Sequence, residues 1–359
     1  MEVDFHHAVI YTLCRLAGMD SKYAEIVAYA SQQVDDATFG HALNFKNGGV
    51  FKQTRTGHQG LSRKLVDISD AFEVWIPFHF LPGGEGESIL QRLITRPEGK
   101  AIHLLKEDIL ATAREPYGLH RLGIGLHLYA DAYSHQDFVG FYNSYNEIDL
   151  LKALEKKSLL KKIIDWLMRK LSFLAPVGHG QALKNPDIPY VNWSYRRKNG
   201  QIIEVNNLQD RFSPAIDNIY NYIYLFLKEN PGYISVLPVE DLTIYKEKIL
   251  EFLSKRVGTF ERHALFLEAI HNNYFKLKDF NDIDRYLSYS PRAWFEEAVI
   301  YLKATKLTEK LENTYANFYT FRQKDCFAES NWVMFMRAAA IHKYRVIHKI
   351  LPACDLNLG

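Results

Sequence analysis

His127-Leu128-Tyr129-Ala130-Asp131-Ala132-Tyr133-Ser134-His135 is the stretch on which the chain's fold and chemistry turn. On a helix each residue advances about 100°, so Asp131 lies roughly 40° from His127 and His135 roughly 80° from it. All three side chains then share one face. An imidazole and a carboxylate one turn apart chelate a divalent ion from a rigid scaffold, and His135, one turn on, reaches that ion or a neighbour. The plainer alternative is a helix face with a capping Ser134 and two core histidines. Two histidines and an aspartate on one face favour the metal.

Working outward, the 359 residues suffice for a large core, in one domain or two. Apolar residues make up 47% and charged ones 24%, the balance of an ordinary soluble globular protein. A net charge of +2 provides no field to draw the chain onto nucleic acid, so any phosphate chemistry is local. Cys14, Cys326 and Cys354 form no CxxC pair and are expected as incidental thiols of a reducing compartment. The N-terminus is acidic where a signal peptide is basic, and no apolar run approaches the roughly 20 residues that span a bilayer. The expectation is a cytoplasmic protein with at most peripheral membrane contact.

Helical spacing of apolar residues predicts helices over 5–17 and 21–34, the second capped by Asp20 or Ser21. Residues 37–86 are expected as irregular loop with short strands, because glycine is frequent and Phe72, Val74, Ile76, Phe78 and Phe80 alternate. Helices are predicted again over 87–95, 100–114, 116–135 and 147–174, then a Gly/Pro/Asn/Asp-rich loop over 176–212. Ser213-Pro214 opens a helix to about 229, and 239–276, 291–305, 307–323 and 328–350 read as helical. The predicted fold class is therefore all-α. Its expected organisation is a metal-binding helical core over 1–230 and a C-terminal helical extension over 231–359 packed on it, with the seam at Asn230-Pro231-Gly232. The 147–174 helix carries Lys156, Lys157, Lys161, Lys162, Arg169 and Lys170 against a leucine-rich face. Packing of those leucines on the core is favoured over an anionic membrane.

Ten of the fourteen histidines fall in the first half, several beside carboxylates. Asp4 and His6 flank Phe5, Asp35 and Asp36 end the second helix, His79 sits in Pro-Phe-His-Phe-Leu-Pro-Gly, and His179 and Asp187 share a loop. Taken singly, each has an adequate structural explanation as a cap, a solvated helix end or a core histidine. His58 and His120 are expected in packing roles, and Arg55 and Lys52 in a solvated basic loop.

As a set, Asp-Phe-His, Gln-Gln-Val-Asp-Asp, Pro-Phe-His-Phe-Leu-Pro-Gly, HxxxDxxxHxxF and Gly-His-Gly with Pro-Asp resemble a bacterial group similar to the zinc-dependent phospholipase C and P1 nuclease superfamily. The resemblance covers about residues 4–195. It implies a multi-helix bundle with two or three zinc ions, held by His and Asp, that hydrolyses phosphate esters. His127, Asp131, His135 and Phe138 match the superfamily's strongest signature. Asp36 or Asp35 together with His79 would complete one metal, and His179 and Asp187 would join His135 at a second. Exported members also use the amino group of their first residue as a ligand. This chain begins with Met and is expected to be unprocessed, so Asp4 and His6 are expected as the substitutes at the third site.

Neighbouring divalent ions suit phosphate-ester hydrolysis, and by resemblance Asp36, or Asp35, is the carboxylate that takes the proton of the attacking water. The chain lacks HExxH, a P-loop, a Gly-x-Ser-x-Gly elbow, an adjacent His-Asp dipeptide and Cys-rich zinc spacing. The expected activity is that of a zinc-dependent phosphoric ester hydrolase, phospholipase C-like. Phospholipid is preferred over nucleic acid as substrate, because no basic stripe is present. The alternatives are a P1-like nuclease and a non-catalytic scaffold in which metals staple loops to the bundle.

Overall fold

The helix Gly118–Ser134 is buried at every position but Leu119, its polar residues His120, Arg121, His127, Asp131 and Ser134 included, as befits a helix through the middle of the fold. It is seen in a computed structural model that describes residues 1–58, 70–153, 178–301 and 320–358. The helices Ser21–Asp36, Lys100–Leu110, Ser213–Glu229 and Asn331–Arg345 surround it. Ser21–Asp36 comes closest. A Cβ at Gly123 would lie 2.4 Å from the Val27 carbonyl oxygen and 2.7 Å from Ala30 Cβ, so only glycine permits this approach. The side chain of Asp20 caps Ser21–Asp36 by accepting from the Lys22 N–H at 3.1 Å.

The chain is helix-rich, but among the described residues seven strands in two small sheets correct the all-α expectation. In the first sheet, β1 (Ala42–Phe45) pairs antiparallel with β2 (Val50–Lys52) and parallel with β7 (Thr320–Gln323), which pairs antiparallel with β6 (Val299–Tyr301). The second is an antiparallel sheet of β3 (Ile148–Ala153), β4 (Asn192–Arg197) and β5 (Ile202–Asn206). Its hairpin falls in the expected 176–212 loop. Trp193, Tyr195, Ile203 and Val205 alternate on either side of Asn199-Gly200, where Gly200 adopts φ +85°, and this is a hairpin signal. The expected 147–174 helix begins instead as β3, drawn in because Ile148 joins a core with Phe80, Phe138 and Trp193. Its basic residues from Lys156 to Lys170 lie outside the described residues, as does most of 307–323.

Conversely, the alternating apolar residues Phe72, Val74, Ile76 and Phe78 are helical, in a π-helical turn Ala71–Trp75 that runs into Ile76–Phe78, and Phe80 follows just after it. Residues 76–80 are all buried, so alternation there marks burial on all sides and not a strand. The C-terminal residues share the cores of the first half. Ile249, Phe266 and Val346 pack with Phe5 and Leu13, and Trp294, Phe321 and Phe335 pack with Tyr29, Val34 and Ile124. Backbone bonds cross the expected seam, from Ser235 N–H to Gly18 at 3.0 Å and from Val239 N–H to Leu16 at 2.9 Å. No helix among the described residues is long and apolar enough to cross a membrane. All three cysteines are free, Cys14 and Cys354 buried and Cys326 exposed.

One buried ion network ties the central helix to its neighbours. Arg121 pairs with the Asp108 carboxylate and donates to the Asp108 carbonyl at 2.9 Å, while Arg345 and Lys349 reach Asp108 Oδ1 at 2.7 and 2.5 Å. Burial pushes the Asp108 carboxyl up, but Lys349, Arg121 and Arg345 outweigh it and hold the group at about 2. A depressed carboxylate contributes stability that is complete above its unfolded value of about 3.9 and is lost as pH falls through the folded value. Asp108→Asn is therefore expected to cost about 2 kcal/mol near pH 7 and almost nothing at the acid end, as measured by denaturant unfolding across pH. Gly123→Ala, which drives a methyl into Val27, is expected to lower stability by about 1–3 kcal/mol in the same assay.

Candidate metal centre

His127 and Asp131 face the same side of the central helix, and other segments converge on that face. Asp131 Oδ2 lies 3.2 Å from His127 Nε2 and 3.0 Å from His79 Nδ1. Its Oδ1 lies 3.2 Å from His6 Nε2 and accepts from the amino group of Met1 at 2.5 Å. Asp35 Oδ1 stands 3.7 Å from His127 Nε2 and 3.9 Å from His79 Nδ1. Adjacent to this, His135 Nε2 and His179 Nε2 approach the two oxygens of Asp187 at 3.3 and 3.4 Å.

Local structure explains how each residue arrives. His6 rides a π-helical turn, Asp4–Val9, whose widened winding turns it onto the His127 ring, with centroids 3.8 Å apart. His135 is the C-cap of the central helix, and the chain reverses at Asp137, which adopts φ +73°. Its ring therefore leaves the helix face and points at Asp187, with Nδ1 still 3.8 Å from Asp131 Oδ2. Phe80 stacks on His135 at 4.2 Å. Gly178, at φ +51°, lets the His179 loop close over Phe80, since a Cβ there would sit 2.5 Å from the ring. Asp187 ends a 3-10 turn, Asn185–Asp187, which Asn207 Nδ2 holds through the Asn185 and Ile188 carbonyls at 2.5 and 2.8 Å.

Among the described residues, three sets of donors lie within 4.8 Å of one another: His6, His127 and Asp131; Asp35, His79 and His127; and His135, His179 and Asp187. The donors fit divalent ions in two respects. First, three histidines use their remote nitrogen as a donor to a carbonyl: His79 Nε2 to Thr56 at 2.9 Å, His135 Nδ1 to His79 at 2.8 Å and His179 Nδ1 to Leu183 at 2.9 Å. Each near nitrogen is thereby left to face the carboxylates, the arrangement that orients metal-binding imidazoles. Second, His6 is wholly buried with neither ring nitrogen hydrogen-bonded, and its Nε2 faces Asp131. Imidazole and carboxylate without thiolate suit zinc and its first-row neighbours.

The electrostatics centre on Asp131. Burial raises its carboxyl, but the Met1 ammonium, His135, His127 and His6 overcome this and hold it well below the usual carboxylate range. In return, burial would lower the Met1 amino group, yet Asp131 and Asp187 raise it to about 11. Burial, together with His127 and the Met1 ammonium, pushes His6 far below its ordinary value, so it is neutral. Burial also lowers His179, to about 4. Asp35 keeps 35% side-chain exposure at the mouth of the cluster, where the surrounding protein raises its carboxyl against the pull of His127 and His79.

His6, His79, His127, Asp131, His135, His179 and Asp187 thus come together, and Asp35 joins them. Two expected ligands do not. Asp4 is buried in an ion pair with Arg262 and accepts from Phe5 N–H at 3.0 Å. Asp36 points away and accepts from Tyr289 Oη at 2.5 Å and Gln32 Nε2 at 3.2 Å, because adjacent residues on a helix diverge by about 100°. The Met1 amino group lies in the cluster although sequence reasoning set it aside in favour of Asp4 and His6. The signal was present in the superfamily's use of that group. His58 stacks on Trp75 and faces Asp70, which also pairs with Arg55, while His120 Nε2 meets Asn331 Oδ1 at 3.0 Å. Lys52 donates to the Gly40 carbonyl at 2.7 Å.

Fold and site together define a helix-rich protein organised around a buried histidine–aspartate cluster with the spacing of metal ligands. Over residues 1–350 the chain matches a family described as a family of unknown function, DUF6765, and it belongs to that family. No curated protein and no solved structure matches it.

Removing the Asp131 carboxylate leaves the cationic and imidazole partners buried around an uncompensated gap. In metal-stripped protein, Asp131→Ala is expected to cost about 3–5 kcal/mol by chemical denaturation.

Proposed function

We propose that the protein is a metal-dependent hydrolase of phosphate esters, with zinc as its metal and a phospholipase C-like substrate preference. The observation that carries this reading is the convergence of three donor sets on and beside the Asp131 carboxylate, one of them open to solvent at Asp35. The order of the motifs, similar to the zinc-dependent phospholipase C and P1 nuclease superfamily, adds the class of reaction and the multi-helix fold of that superfamily.

In this reading Asp35, His79, His127 and Asp131 hold one ion and His135, His179 and Asp187 a second. His6 and Asp131 hold a third, joined by the Met1 amino group once the ion has displaced its proton. Divalent ions there supply Lewis-acid polarisation of the phosphate ester and of its attacking water. The residues of the chain do the rest. Asp35, partly exposed at the mouth, takes the proton of the attacking water. Asp131, with Asp35 and Asp187, offsets part of the charge of those ions. Phe80, stacked on His135 and lying against His179, keeps bulk water off that side. The net charge of +2, without a basic stripe, favours phospholipid over nucleic acid.

One observation favours a second reading, a metal staple without catalysis. His6 and His127 are wholly buried and Asp131 nearly so, as in a closed structural site.

Purified protein is expected to contain at least one zinc per chain by elemental analysis, and less in Asp131→Asn. It should release product from a chromogenic phosphodiester or from phosphatidylcholine vesicles, and Asp35→Asn is expected to lower kcat by roughly 10²–10⁴-fold. Zinc without turnover of phospholipid, nucleotide or chromogenic ester would leave the staple. Protein that stays free of metal after reconstitution defeats both readings.

A further inference from the structure

Gln32, Asp35 and Asp36 are spaced i, i+3 and i+4 on the helix Ser21–Asp36, so the glutamine side chain lies beneath both carboxylates. Its Nε2 lies 3.5 Å from Asp35 Oδ2 and 3.2 Å from Asp36 Oδ2. An amide between two carboxylates must turn its NH₂ toward them, since its oxygen has nothing to accept from either. The buried Gln32 Oε1 accordingly has no partner.

On the far side, Asp36 Oδ2 accepts from Tyr289 Oη at 2.5 Å. The Tyr289 ring is wedged between Tyr29 and His7, with centroids at 4.8 and 5.2 Å. The next residue, Ser290, accepts from Tyr29 Oη through its carbonyl, and Trp294 stacks on Tyr29 at 3.9 Å. The hydroxyl that begins the chain is therefore fixed by packed aromatic rings. The relay runs from Tyr289 through Asp36 and Gln32 to Asp35 Oδ2, and leaves Asp35 Oδ1 directed at His79 and His127.

We infer that Gln32, Asp36 and Tyr289 are positioning residues for the Asp35 carboxylate, and that through Tyr289 the C-terminal part of the chain sets the affinity of the most exposed metal position. The inference rests on the metal reading above. A carboxylate at the end of a helix and one-third exposed has free rotamers, and ordering it before the ion arrives removes that cost from binding. Partners of this kind typically change metal affinity by 10–100-fold. Asp36 thus has a role without touching an ion, as the acceptor that anchors Gln32.

The test is a zinc titration of the metal-stripped full chain against a chromophoric chelator. Gln32→Met preserves side-chain length and removes both hydrogen bonds. It is expected to weaken one class of zinc site by about 10–100-fold and leave the others unchanged. Tyr289→Phe is expected to weaken the same class by about 10-fold, and it carries the test if Gln32→Met does not fold. The decisive comparison is made in an Asp35→Ala background, where Gln32→Met should have no further effect on zinc affinity. Unchanged affinity in both single variants overturns the inference while leaving the metal reading intact. An equal loss with and without Asp35 also overturns it, because the effect would then be one of general packing. Wild-type chain that takes up no zinc overturns the metal reading and this inference with it.

Discussion

A single carboxylate, Asp131, sits within hydrogen-bond or ion-pair distance of the Met1 amino group, His6, His79, His127 and His135. Burying a charge so completely is unfavourable unless the surroundings compensate it. The surroundings are drawn from parts of the chain distant in sequence: the first turn, the 70–80 segment and the central helix. Asp187 and the 178–187 loop extend the same compensation to His135 and His179. The packing of the central helix, the approach allowed by Gly123 and the reversal at Asp137 all serve to bring these groups to one place.

Much of the site was legible in the sequence because helical geometry is strict. The spacing of His127 and Asp131 required one face, and the motif order made His6, His79, His179 and Asp187 candidates. What spacing did not decide was set by tertiary structure. Whether Asp35 or Asp36 turned inward depended on the rotation of the helix Ser21–Asp36 against the central helix. Asp4 resembled a ligand until Arg262, from the far end of the chain, claimed it. The fold was less legible where burial on all sides mimicked a strand, as in 76–80. It was also less legible where short strands with polar edges resembled loop, as in 192–206. The parallel pairing of β1 with β7 has no local signature at all.

The C-terminal part is joined to the first half by shared cores and a shared sheet. It also supplies residues that anchor the cluster's neighbours. Arg262 holds Asp4, two residues from His6, and Thr259 bonds Glu2, next to Met1.

The pairing of Asn44 with Thr320 in the first sheet has a kinetic consequence. Contacts between residues so far apart form late, since a long loop must close before they give any return. On the ribosome, the first turn and the helix Ser21–Asp36 emerge well before the strands and helices that hold them. The histidines and aspartates of the cluster, all within the first 187 residues, are therefore synthesised before the C-terminal segments that complete the sheet and the shared cores around them.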